Sequence, residues 1–349
     1  MKGQASKNAR SVEIWLWSIC LLTLAMVGVG GITRLTGSGL SMVEWNPIMG
    51  AIPPLSSEHW MRVFQKYQAT PQFKWVNPTI TLSGFKLIFF WEWFHRLLGR
   101  FIGLFYLGPW GYFAAKNLIP TGLRRTLVAG LVLGLNQAVM GWMMVKSGLV
   151  DQPHVSHYRL AAHLFLALAI MGTFCWAALN LRAVRLNRVI KAQFSFVPFS
   201  RILSVVGVLV LVQIFYGALT AGLRAGFIFN TFPKMGSEWL PDSVLMLSPF
   251  WRNFLENLAG VQFCHRVFGW SLLCSALGVF FYSRRLPLSP GQRVTIRCFT
   301  CGVLLQFLLG VLTLILAVPL PLAVMHQVVG SITFLLLLWA RHSVKDNLG

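Results

Sequence analysis

Four of the eight histidines stand inside long apolar stretches: His95, His163, His265 and His326. A polar ring is costly in such surroundings, and where one persists it usually serves a function. A single intramembrane imidazole can be a hydrogen-bonded link between helices. Four, two in each half of the chain, are harder to explain that way. Two histidines on facing helices of a bundle can ligate a haem iron from both sides. Zinc would gather three or four ligands in one place, often with cysteine or carboxylate. All four are therefore read as haem-iron ligands.

Glu92 is the one acid deep in such a stretch; Glu13 and Glu256 lie near the ends of theirs. It precedes His95 by three residues, so both share a helix face. A carboxylate there can exchange protons with a bound group, or it can orient a ligand or pair with Arg96. Arg96, Arg100 and Arg266 also lie within apolar stretches, with Arg34 and Arg224 at the ends of others. Guanidinium groups suit haem propionates; they equally suit lipid headgroups. Gly99, Gly269 and Gly330 follow a histidine by one turn and leave room either for a flat macrocycle or for close helix packing. His154 and His157 read as solvated loop residues, and His59 and His342 carry no signal. None of the six cysteines falls in an outer loop. Cys298 and Cys301 form a CxxC without the following histidine of a covalent haem motif.

These residues need helices to hold them, and the composition supplies the setting. Of 349 residues, 56% are hydrophobic and 11% charged, against about 25% charged in a soluble domain. Eight stretches are long enough to cross a bilayer: about 13–33, 85–113, 124–145, 159–181, 202–222, 258–282, 297–318 and 321–340. The last two are divided at Pro319–Pro321. The fold class is an all-α integral membrane protein. The net charge of +21 is not a nucleic-acid signal, because the cations sit between apolar runs. Seventeen lie in short segments on one side (Lys2, Lys7, Arg10; Lys116, Arg124, Arg125; Arg182, Arg185, Arg188, Lys191, Arg201; Arg284, Arg285, Arg293, Arg297; Arg341, Lys345). Ten are spread through longer loops opposite. Both termini are therefore expected in the cytoplasm. The stretch after Arg10 has no small-residue cleavage site and reads as a retained first helix.

The chain also repeats itself. His95-Arg96 and Gly99 match His265-Arg266 and Gly269, 170 residues on; Gln137 and Gly141 match Gln306 and Gly310, 169 on. Arg34 and Arg224, each amid glycines, form a further match at an offset of 190, with about twenty extra residues in the first outer loop. Two pseudo-symmetric four-helix bundles are expected, 12–182 and 200–341. The repeat pairs His95 with His163 and His265 with His326, at similar depth toward the outer face. Gln262 stands where the first half has Glu92. The site of the first half is therefore expected to be reactive, and that of the C-terminal half to transfer electrons. The outer loop at 34–84, with Trp45, Pro47, Pro53 and Pro54, either covers the first site or simply connects.

Several long motifs then carry a family resemblance. Gly30-Gly31-Ile32-Thr33-Arg34-Leu35-Thr36-Gly37-Ser38-Gly39-Leu40-Ser41 resembles a signature of haem A synthases. So do Glu92-Trp93-Phe94-His95-Arg96, Gly141-Trp142-Met143-Met144-Val145-Lys146-Ser147-Gly148-Leu149, and Ala221-Gly222-Leu223-Arg224-Ala225-Gly226 with Asn230-Thr231. The likeness runs from about 12 to 341. It implies oxidation of the C8 methyl of haem O to a formyl group through hydroxylated intermediates, with oxygen from water, giving haem A for terminal oxidases. It also implies haem O (substrate) between His95 and His163, haem b (cofactor) between His265 and His326, and Glu92 as the catalytic carboxylate. Arg34 and Arg96 would then face the propionates of haem O, and Arg224 and Arg266 those of haem b. Members with paired cysteines in the outer loops differ from this chain, which resembles the cysteine-free branch of proteobacteria and mitochondria. Expected partners are membrane lipid, haem O synthase, an electron acceptor and a possible second copy; the expected location is a bacterial inner membrane, with the haem sites toward the periplasm. The alternatives are a dihaem b-type cytochrome, a haem carrier or assembly factor, and, more remotely, a metal-ion transporter.

Overall fold

The computed structural model describes residues 2–45, 49–148, 155–186 and 197–345; His154, Pro47, Leu149, Arg188 and Lys191 lie outside the described residues, as do the side chains of Lys2 and Lys7. The described residues form ten α-helices and no strand: α1 (Lys2–Leu35), α2 (Ser57–Gln68), α3 (Pro71–Trp75), α4 (Leu82–Ala115), α5 (Arg124–Gly148), α6 (His157–Arg185), α7 (Val197–Gly222), α8 (Leu258–Ser283), α9 (Pro290–Ile315) and α10 (Leu320–Ser343). Seven are long and apolar enough to cross a membrane: α1, α5, α6, α7, α8, α9 and α10. The chain is a helical membrane protein. The expected span at 85–113 falls in α4, which is not among the seven. Lys86, Glu92, Arg96 and Arg100 hold its hydropathy down.

Local chemistry sets the boundaries. α9 begins at Pro290, earlier than the expected 297, because Ser289 and Gln292 form a reciprocal capping box ahead of the apolar run. Two polar turns carrying Arg293 and Arg297 therefore extend the helix before it becomes membrane-like. The expected break before α10 is present: Ala317 and Val318 adopt positive φ (55° and 60°) and Pro319 caps the next helix. Asn230 closes this end by donating to Leu314 O at 2.8 Å.

The packing follows the repeat. α1 packs on α4 and α6, and α5 on α6; α7 packs on α8 and α10, and α9 on α10. The halves meet where α1 lies on α10 and α6 on α7, with α6 against α10 between them. Two apolar cores lie at one end of the helices, one around Trp15, Leu16, Tyr106, Leu127 and Phe174, the other around Phe199, Leu272, Phe299 and Leu337. Toward the opposite end of α4, the helices α2 and α3 of the 34–84 loop pack Phe64 and Tyr67 onto Phe85 and Phe89. Burial pushes the Tyr67 phenol above its ordinary pKa, so it stays neutral and accepts a hydrogen bond from Asn77 at 2.9 Å. The repeat differs in one place: the backbones of α8 and α9 approach closely, whereas those of α4 and α5 stand further apart and are joined through side chains, with Tyr106 of α4 donating to Leu127 O of α5.

Candidate functional site

The histidines fall between the apolar cores and the loops at the opposite end of the helices, each ring seated on a glycine of the neighbouring helix. A Cβ at Gly30 would meet His95 Nε2 at 3.2 Å, and one at Gly141 would meet His163 Cε1 at 3.3 Å. In the second half, Gly217 lies under His265 at 3.2 Å and Gly310 under His326 at 2.9 Å, measured the same way. Any side chain at these positions would push the ring aside. The Gln–Gly repeat of α5 and α9 thus has a physical meaning. The glycine admits the ring, and the glutamine amide one turn earlier approaches its Nε2: Gln137 is 3.3 Å from His163, and Gln306 is 3.4 Å from His326.

His265 and His326 face one another with ring centroids 6.3 Å apart and planes at 89°. Two imidazoles sharing one iron need centroids about 6 Å apart, from two metal–nitrogen bonds of about 2 Å and the nitrogen-to-centre distances. The spacing fits a bis-histidine haem. All four rings lie deep between helices yet stay only half-buried, so each borders internal space. The main chains of Gln213 and Gln306 lie beside His265 and His326. The Nδ1 atoms of both rings, like that of His163, are buried with no hydrogen-bond partner among the described residues. His95 and His163 are near enough to interact electrostatically.

Glu92 is buried, and every contact it makes is with a donor. Oε2 accepts from Ser41 Oγ and from Met42 N, both at 2.7 Å; Oε1 accepts from Arg96 Nη2 at 2.6 Å. Sequence reasoning misses Ser41 and Met42 as partners, although both lie in or beside the glycine-rich signature. Arg96 also donates to the carbonyls of Glu44 and Met42 and stacks on Trp45 at 5.1 Å. Gln262 takes the equivalent place, donating to Ala225 O at 2.9 Å and Phe229 O at 3.2 Å. Arg266 donates to the carbonyls of Phe229, Thr231, Pro233 and Lys234 and to Gln262 Oε1 at 3.4 Å. Both arginines thus hold outer-loop main chain, which leaves less of each guanidinium for propionates than expected.

The register of the repeat differs from the expected one. Gly30 and Gly217, Met26 and Gln213, and Met42 and Phe229 play matching roles, each 187 residues apart. Arg34 therefore corresponds to Ala221, not to Arg224. It donates to Ala221 O at 2.9 Å across the junction of the halves. Arg224 is exposed, in a left-handed turn after α7. The two arginines still lie close enough to repel. Composition alone misleads here, because both sit among glycines. Gly99, Gly269 and Gly330 serve close packing: a Cβ there would meet Met26, Gln213 and Gln306 at 3.3, 3.3 and 3.1 Å. His157 is no loop residue. It opens α6 and packs against Gly222, where a Cβ would come within 2.6 Å. His342 is buried and bonded to Asn180 at 2.9 Å, far from the other four along its helix. All six cysteines are free thiols.

The fold and site define a class: a helical membrane protein with repeated, glycine-seated histidines, one pair of which stands at the spacing of two imidazoles on one iron. Comparison with known proteins places it further. The COX15-CtaA family model, described as cytochrome oxidase assembly protein, matches residues 13–338, and the chain belongs to that family. It is 44% identical to the heme A synthase of Nitrosospira multiformis, over 96% of this chain and 94% of that one. It is 42% identical to that of Nitrosomonas eutropha (96% and 94%) and 41% identical to that of Paracoccus denitrificans (97% and 89%).

Proposed function

We propose that this chain is a haem A synthase of a bacterial inner membrane, oxidising the C8 methyl of haem O to a formyl group. The observation that carries the reading is the His265–His326 pair at haem spacing, with the same glycine-and-glutamine seat repeated at His163, in a chain whose relatives are named heme A synthase.

In this reading α4 is an eighth span. Its 34 residues rise about 50 Å, and Glu92 and Arg96 neutralise one another inside. The halves are then two four-helix bundles, 12–182 and 200–341, with both termini cytoplasmic and the haem sites toward the periplasm. The N-terminal half takes haem O between His95 and His163, and the C-terminal half holds haem b between His265 and His326. Two features support this division. Among the described residues only the first site has a carboxylate, and the backbones of α4 and α5 approach less closely than those of α8 and α9, which suits a substrate that enters and leaves.

Methyl-to-formyl oxidation with oxygen from water releases four electrons and four protons. Haem b, when bound, supplies a one-electron carrier. Glu92, on the face of His95, accepts protons, and Ser41 Oγ connects it to the outer loop. Arg34 and Arg224, near one another with no carboxylate bonded to either among the described residues, are the better placed cations for haem propionates; Arg96 and Arg266 hold the loops beside the sites. The reaction also needs a haem O donor, for which haem O synthase is the expected partner, and an electron acceptor.

The test is expression in cells that make haem O but no haem A. Haem A should appear with this chain and not with Glu92→Gln, whose haem content should be unchanged. Normal haem A output from the variant would end the catalytic role of Glu92; none from the wild type would end the whole reading.

A further inference from the structure

We infer that the lipid-facing groove between α5 and α6 receives the isoprenoid chain of the substrate haem. The inference rests on the first half being the haem O site.

The groove has a volume of about 600 Å³ and is lined by Asn136, Val139, Met140 and Met143 of α5 and by Ala162 and Phe165 of α6. Three of its residues are chain neighbours of the His163 site. Ala162 is the residue before His163; Met140 precedes Gly141, on which the ring sits; Asn136 precedes Gln137, whose amide approaches His163 Nε2. Asn136, Met140 and Ala162 are therefore each about 100° around their helices from a site residue, on the neighbouring face.

The lining is apolar except for Asn136, which lies midway along α5 and is exposed. An amide facing hydrocarbon at that depth is costly unless it is bonded. The substrate supplies the complement. Haem O carries a long isoprenoid chain on one pyrrole, with a hydroxyl on the carbon that joins the chain to the ring. In the inferred pose that hydroxyl bonds the Asn136 amide and the chain lies along Val139, Met143 and Phe165.

The second half carries other residues at these positions. At the repeat offset of 169, Asn136 corresponds to Leu305 and Met143 to Leu312; across α6 and α10, His163 pairs with His326, so Ala162 corresponds to Met325. The amide is replaced by an apolar group and the small residue by a long one. A haem without an isoprenoid chain needs no such space, which matches haem b there.

The experiment measures haem O and protohaem (which lacks the chain) binding to the first site of purified protein with its second site filled. The variants are Ala162→Met and Asn136→Leu, each the residue of the second half, with Val132→Met, exposed on α5 outside the groove, as control. Ala162→Met should weaken haem O about tenfold or more, the loss of a few buried methylenes, and leave protohaem within about twofold. Asn136→Leu should also weaken haem O selectively, and Val132→Met should change neither. An unchanged absorption spectrum of the second haem shows that the variants fold; should Ala162→Met fail this check, Asn136→Leu decides alone. Equal effects on both haems, or none, would overturn the inference and leave the groove to a lipid acyl chain. Wild-type protein that makes no haem A would instead defeat the functional reading, a separate outcome.

Discussion

At the scale of single residues, the chemistry turns on Glu92 and its counterpart Gln262. Both sit one turn before an arginine and both hold the main chain of an outer loop, one as acceptor and the other as donor. Position 262 shows that a glutamine fits beside such an arginine. Glu92→Gln should therefore fold, at a cost of about 1–3 kcal/mol for the lost charge-assisted bonds, and lose product. Glu92→Ala leaves Arg96 buried without its anion and should destabilise by about 3–5 kcal/mol, read as a lower unfolding midpoint in detergent. If the two variants lost stability equally, the ion pair would not be holding the loop. Gly310→Ala is a sharper probe of the second site, because its Cβ would stand 2.9 Å from His326. It should alter or abolish the absorption of the haem held by His265 and His326 and leave the other haem in place. An unaltered spectrum would mean that His326 is not a ligand.

At the scale of elements, the loops matter as much as the helices. Arg266 ties four carbonyls of residues 229–234 to α8, so Arg266→Ala should loosen this loop and expose it to limited proteolysis near Lys234. Protection equal to wild type would show that the loop is held elsewhere, for example by Asn230, which donates to Leu314 O. Seven helices are legible in the sequence as long apolar runs, and α4 as a longer one broken by charge. The four histidines are legible because each is a polar residue where none is expected. What the residues touch is not legible. Ser41 and Met42 reach Glu92 through a loop fold that no periodicity encodes, and Gly30, Gly141, Gly217 and Gly310 are told from other helical glycines only by the rings above them. The register error at Arg34 and Arg224 has the same origin. The folded chain aligns by backbone position, which puts Met42 beside Phe229, while composition aligns by residue type.

At the scale of the whole molecule, the two halves share one plan and differ in access. The second bundle is closed where α8 meets α9, and in the first the backbones of α4 and α5 stand further apart, joined at one end by Tyr106 and Leu127. A resident cofactor and an exchanging substrate would need this difference. Exchange should therefore be unequal: protein incubated with excess haem should replace the haem of the His95–His163 half well before that of the His265–His326 half. The measurement that tests the central claim most directly is extraction and mass analysis of the haems in purified protein from cells that make haem O, for the wild type and for His163→Ala and His326→Ala. The wild type should hold haem b together with haem O, its hydroxylated form or haem A. His163→Ala should lose the haem O-derived species alone, and His326→Ala haem b alone. Haem b as the sole haem of the wild type, or the same losses from both variants, would contradict the assignment of the two halves.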